Sequence, residues 1–369
     1  MKLSVSKNIA TLVPYPPGKP LQELEREYGI SGSIKMASNE NSLGPSPKAL
    51  AAIRANLADL HRYPDGSCYY LARALADKLG VKPQQLVFGN GSNEVIELLV
   101  SAFVGPGDEV ITSHPSFLVY QTMVQARNGL NAVVSLQNMA HDLVTILTTV
   151  TPNTRLIFLD NPNNPTGTVF GQREFEAFLS ALPETVIVVL DEAYVDFVDP
   201  AFRLDVRRYI DNHVPVVGLR TFSKVYGLAG LRVGYGIMHE EIAGYLHRVR
   251  QPFNVNSLAQ VAAVAALEDD DHYQQTLAMT RAGIGWLSQE IDQLGCRTFP
   301  SQTNFFLVDA GCDGRALYEK MLQKGVIVRP MTAYGYPNFI RITVGTSAEN
   351  ERLVSSLAQC LRELRHGGK

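Results

Sequence analysis

The chain has 369 residues, 46% hydrophobic and 19% charged, a balance that excludes the disordered and fibrous classes and leaves room for two domains. Its 33 basic and 36 acidic residues leave a formal net charge of −3 with no polybasic run, so a small molecule is expected as partner rather than a nucleic acid or an anionic membrane. Four cysteines, Cys68, Cys296, Cys312 and Cys360, stand far apart without a C-x-x-C spacing; this argues against a bound metal, a redox pair or a disulfide framework and fits a reducing compartment.

In chain order, MKLSVSKNIATLVPYPPGKP has neither the apolar core nor the small-residue cleavage pattern of a secretory signal, and no later run approaches the roughly 18 apolar residues of a membrane span, so a cytoplasmic location is expected. Residues 1–32 form an irregular Pro-rich arm followed by a short helix, LQELEREYG. From QQLVFGNG onward, short apolar runs (LVFG, DEVITS, TRLIFLD, TVIVVLD, VPVVGLR, RVGYGIM) alternate with helical patterns such as NEVIELLVSAF and EFEAFLSAL. That alternation predicts an α/β unit over 33–255, a mostly parallel sheet with helices on both faces. Over 256–369, the alanine-rich SLAQVAAVAALEDDDHYQQTLAMTRAGIGWLSQEI predicts one or two long helices bridging to a smaller α+β unit. Its strands are CRTFPS, NFFLVDA, VIVRP and FIRITVG.

Four stretches carry candidate chemistry. VFGNGSNEVIELL (87–99) runs a strand through Gly89 and Gly91 into a helix start where Ser92 and Asn93 can cap; it suits an anion, although an ordinary glycine turn has the same residues. NPNNPTG (161–167) follows the strand TRLIFLD and holds Asn164 in a rigid turn, either at a ligand site beyond the strand end or as a plain Asx turn. TVIVVLDEAYVDF (185–197) ends an apolar strand in Asp191. No G-x-x-x-x-G-K-[ST] motif accompanies it, so a nucleotide-bound magnesium is not its partner, and a structural carboxylate stays open beside a functional one. In RTFSKVYGLAGLRVGY (220–235), Lys224 stands alone between a strand and what reads as a small-residue helix start. It is either a surface loop lysine or an amine able to form a Schiff base, with Ser223 and Arg232 placed for a phosphate. Taken together, one ligand accounts for all four: pyridoxal 5'-phosphate, which needs a lysine, a carboxylate at its ring nitrogen and an anion cradle.

On NPNNPTG, DEAY, RTFSKVYGLAGLRVGY and IRITVG, supported by PYPPGKP, ASNENSLGPSPKAL and RYPDG, the sequence resembles the fold type I pyridoxal-phosphate aminotransferases of class I/II, nearly end to end. The amino-terminal set points to the histidinol-phosphate branch. The resemblance implies that Lys224 bonds to the cofactor and then shuttles a proton, that Asp191 keeps the ring nitrogen protonated, that Asn164 and Tyr194 hydrogen-bond the ring 3'-oxygen, and that Phe117 stacks on the ring. It places Gly91, Ser92, Asn93, Thr221, Ser223 and Arg232 around the phosphate, with Tyr63 reaching it from the other subunit of a homodimer. For substrate it implies Arg341 as the carboxylate fork, joined by Arg329, Asn39 and Tyr15. The implied reaction moves an amino group between histidinol phosphate and glutamate, through 2-oxoglutarate and imidazole-acetol phosphate; an aromatic amino acid aminotransferase and a phosphothreonine decarboxylase of the same fold are the alternatives. Ser42, where relatives often have Pro, and Cys68, where they have a smaller residue, depart from the pattern on the substrate side.

Overall fold

Apolar side chains on both faces of successive strands dictate the central layer. The computed structural model describes residues 3–14 and 18–366. Its strands are β1 (Ile34–Lys35), β2 (Leu86–Gly89), β3 (Glu109–His114), β4 (Leu130–Ser135), β5 (Thr154–Asp160), β6 (Ile187–Asp191), β7 (Val216–Thr221), β8 (Gly234–Ile237), β9 (Arg297–Thr298), β10 (Phe305–Asp309), β11 (Val326–Ile327), β12 (Arg329–Pro330) and β13 (Phe339–Thr343). Seven of them form one sheet in the order β2-β8-β7-β6-β5-β3-β4. From β7 to β4 each neighbouring pair is parallel, and β8 runs antiparallel to both of its neighbours.

Apart from the largely exposed edge strand β4, the sheet is buried on both faces, as uninterrupted apolar strands require. Leu156 and Phe158 of β5 enter one core while Ile157 and Leu159 enter the core on the other face, and β6 repeats this with Ile187 and Val189 against Val188 and Leu190. The helix Ser92–Phe103 covers one face through Val95, Ile96 and Leu99; Tyr69–Leu79 and Ser257–Leu267 cover the other through Leu71, Leu75, Ala259 and Ala263. The fold is therefore the expected α/β one.

A second, antiparallel sheet in the order β12-β13-β10-β9 packs on the helices Gly314–Gln323 and Ser347–His366. The segment after the amino-terminal arm joins this layer: β1 pairs in parallel with β11, and Met36 is 1% exposed in the same core. The alanine-rich stretch forms two helices, Ser257–Leu267 and Asp270–Gln293, and Asp269 caps the second.

Some local expectations fail. Instead of a helix after Lys224, the chain makes a single 3-10 turn, Ala229–Leu231, and enters β8. Gly227 has φ +68° and a Cβ there would stand 2.2 Å from the Gly44 carbonyl oxygen, while Arg232 has φ +58°, so the backbone is committed to a close crossing that a helix cannot make. VIVRP divides at Val328 into β11 and β12, which belong to different sheets. The arm contains a one-turn helix, Lys7–Ala10, whose Asn8 amide donates to the carbonyls of Gln125 and Ala126 at 3.1 Å. Among the described residues no helix is long and apolar enough to cross a membrane.

Candidate active site

The carboxyl ends of the parallel strands open into a cavity of about 580 Å³, the position where an open α/β sheet binds ligands. Lys224 enters it three residues after β7. Its neighbours Phe222 and Val225 are fully buried and pin the backbone on either side, so the amine is delivered to the cavity. There Nζ donates to the Ser38 carbonyl at 3.3 Å and lies 5.4 Å from the centre of the Tyr194 ring. The Tyr194 hydroxyl accepts from Asn39 Nδ2 at 2.8 Å, and burial pushes its pKa up to about 12.

Asp191, the last residue of β6, is 5% exposed and lines the cavity floor. Burial pushes its carboxyl up to about 6; the 2.7 Å hydrogen bond from the Tyr120 hydroxyl opposes that rise, and the charge of Asp160 adds to it. Asp160 is its direct partner across the β5–β6 ladder. Tyr120 is itself fixed by stacking on Phe158 at 4.7 Å and by an edge contact with Phe117 at 5.5 Å.

At the opposite end of the cavity, Gly91 is the N-cap residue of the helix Ser92–Phe103, with φ +80° and no side-chain cap. This corrects the expectation that Ser92 and Asn93 cap the helix: they are its first two residues, and their N–H groups begin the helix dipole. A Cβ at Gly234 would stand 2.3 Å from the Ser92 nitrogen, and one at Gly91 would stand 2.4 Å from Arg232 Nη2, so only glycines allow this crossing. Thr221 and Ser223 face the same end, joined by a 3.0 Å hydrogen bond between their hydroxyls.

The far wall comes from the second sheet. Arg341 of β13 is 6% exposed, lies 4.8 Å from the centre of the Phe305 ring, and donates to the Asn164 side-chain oxygen and, at 2.8 Å, to the Ala37 carbonyl. Asn39, at φ +56°, is clamped to Thr343 by two hydrogen bonds of 2.9 and 3.0 Å. Arg329 and Tyr334 complete the wall.

The structure thus brings Asn39, Ser92, Asn93, Phe117, Asn164, Asp191, Tyr194, Thr221, Ser223, Lys224, Arg232, Arg329 and Arg341 to one cavity, with Gly91 at its edge. Tyr63 is not among them: it is 84% exposed and stacks on Phe253 at 4.9 Å. Tyr15 lies outside the described residues. Sequence reasoning missed Tyr120, Asp160 and Tyr334. SHPSFLVY held the signal for Tyr120, a tyrosine one helical turn beyond Phe117, but no sequence pattern aims it at Asp191.

A helix-covered parallel sheet with this cavity at its carboxyl edge, lined by a lysine and a buried carboxylate, has the architecture of the fold type I aminotransferases. Residues 31–357 match the family Aminotransferase class I and II, and the chain belongs to it. It is 59% identical over 369 residues to the histidinol-phosphate aminotransferase of Desulfotalea psychrophila, covering 99% of this chain and 97% of that protein. The crystal structure of histidinol-phosphate aminotransferase from Sinorhizobium meliloti in complex with pyridoxal-5'-phosphate matches with a TM-score of 0.90 at 30% identity, covering 98% of each chain. L-threonine-O-3-phosphate decarboxylase from Porphyromonas gingivalis shares the fold, with a TM-score of 0.79 at 22% identity over 89% of this chain and 99% of that one. The residues present fit pyridoxal phosphate. A buried carboxylate pushed up to about 6 gains from a cationic N–H, and the helix Ser92–Phe103 begins beside Arg232 with no side-chain cap, a start that suits an anion.

Proposed function

We propose that this aminotransferase uses pyridoxal 5'-phosphate to exchange an amino group between histidinol phosphate and 2-oxoglutarate, giving imidazole-acetol phosphate and glutamate, a reaction of histidine biosynthesis. The observation that carries the reading is the meeting of Lys224 and Asp191 in one cavity whose far wall holds Arg341 and Arg329; the 59% identical relative of the same printed name supports the substrate.

When bound, the cofactor supplies an aldehyde carbon and a ring that takes up electron density from the substrate Cα. Asp191 would keep a proton on the ring nitrogen, and Tyr120 orients its carboxylate. Lys224 Nζ would hold the cofactor and, once released from it by the substrate amine, would take up and return the proton of the substrate Cα. Asn164 and Tyr194 would hold the ring oxygen, Phe117 would contact the ring, and Ser92, Asn93, Thr221, Ser223 and Arg232 would hold the phosphate. Arg341 grips the acidic group of either substrate with its planar fork, and Arg329 adds donors for the phosphate dianion.

The exposed Tyr63, stacked on Phe253 and outside its own cavity, belongs to a partner's site in a homodimer. The enzyme works in the cytoplasm.

Half-reactions of the holoenzyme followed by visible absorption test the substrate. Histidinol phosphate should have a higher kcat/KM than phenylalanine or tyrosine, and the reverse order would refute the substrate while leaving the chemistry. Arg341→Ala should impair both half-reactions, whereas Arg329→Ala should raise KM for histidinol phosphate more than for glutamate, because a lost ground-state contact shows first in KM.

A further inference from the structure

Running back from the cavity wall, Asp160, His141 and Ser113 form a buried polar chain that no step above uses. Ser113 Oγ and His141 Nδ1 stand 2.7 Å apart, and His141 Nε2 lies 3.0 Å from both the carbonyl oxygen and Oδ1 of Asp160. A carbonyl oxygen can only accept, so Nε2 carries a proton and Nδ1 is left facing the serine hydroxyl. The His141 side chain is 2% exposed and that of Asp160 4%, so water does not compete for these bonds.

Asp160 distributes that constraint. Its Oδ1 also accepts from Ser116 Oγ at 2.9 Å and Asn163 Nδ2 at 3.0 Å, and its Oδ2 accepts from the Asn164 backbone N–H at 2.8 Å. The Asn164 side-chain oxygen in turn accepts from Arg341. His141 is held from behind as well, because it follows the turn Gln137–Ala140, whose Met139 packs against Leu307, Met331 and Tyr334 of the second sheet's layer.

We propose that His141 is a positioning residue for substrate binding: through Asp160 it fixes Asn164, and through Asn164 it fixes the Arg341 fork. The inference rests on the reading of Arg341 as the substrate anchor. A residue of this kind acts on ground-state binding, so its loss appears in KM. A packing role alone would lower stability and leave KM in place.

The test compares His141→Phe, which keeps a ring without Nε2–H, with His141→Gln, which puts an amide N–H near that position, and runs Arg341→Ala in parallel on holoenzyme. His141→Phe should raise KM for glutamate about tenfold, and His141→Gln should recover most of it. If Arg341→Ala raises KM but His141→Phe does not, or if the Gln variant behaves like the Phe variant, the proposal is overturned. If Arg341→Ala itself leaves KM unchanged, the anchor reading is what fails. Side-chain nitrogen NMR of the wild-type holoenzyme needs no variant: His141 should carry its proton at Nε2, and a neutral ring protonated only at Nδ1 overturns the proposal.

Discussion

Asp191 ends β6 with a buried carboxyl pushed up to about 6, above the 3.8 of an exposed aspartate. The cofactor-free folded chain therefore holds this proton more tightly than the unfolded chain. The resulting stabilisation is complete below about pH 4 and is lost as pH rises through about 6, an effect on the order of 3 kcal/mol. Asp191→Asn does not titrate and can still meet both Tyr120 and the Ala193 N–H. Without cofactor it should melt above wild type at pH 8, and the gap should narrow toward pH 4. With pyridoxal phosphate bound the order should reverse, because a cationic ring nitrogen favours the ionised carboxylate. Thermal denaturation with and without cofactor checks this; a wild-type chain that stays the more stable at pH 8 without cofactor would contradict the burial argument.

Among the elements, the turn 161–167 was legible as rigid from its two prolines and glycine, and as a site from its place after β5. Its connections were not. Gly167 has φ +76°, its carbonyl accepts from the Gln302 N–H at 2.8 Å, and a Cβ there would lie 2.1 Å from Ser301 Oγ, so the turn is clamped to a segment more than a hundred residues away. Gly167→Ala should cost about 1–3 kcal/mol for the left-handed backbone, with overpacking against Ser301 added to it. Gly244, in the helix Glu240–Val249, is the contrast, because a Cβ there would meet nothing within 4 Å: Gly244→Ala should gain about 0.5–1 kcal/mol. Denaturant titrations should separate the two in sign, and equal effects would show that the clamp carries no strain. The helix expected after Lys224 failed for a related reason, since the approach of Gly227 to Gly44 is a long-range contact that local composition does not encode.

At the scale of the whole molecule, the proposed homodimer can be tested through Tyr63, which is exposed and stacked on Phe253. Mixing Lys224→Ala with Tyr63→Ala and allowing subunits to exchange should restore activity at up to about a quarter of the sites, because one site of each hybrid dimer receives both intact residues. Sedimentation should find dimers. Full activity in a preparation that sediments as monomer would remove Tyr63 from the site.

What the sequence determined by itself was whatever depends on neighbours along the chain: strands whose apolar runs are buried on both faces, the α/β alternation, and Lys224, Asp191 and Asn164 each at or just beyond a strand end. A parallel sheet then brings those ends to one edge, so the cavity followed from the pattern. What the tertiary structure decided were pairings between residues distant in sequence: β1 with β11, Tyr120 with Asp191, Asn164 with Arg341, and His141 with Asp160. The physical reason is that periodicity and propensity act over a few residues, whereas a hydrogen bond between buried side chains depends on distances set by packing, and only the assembled core fixes those.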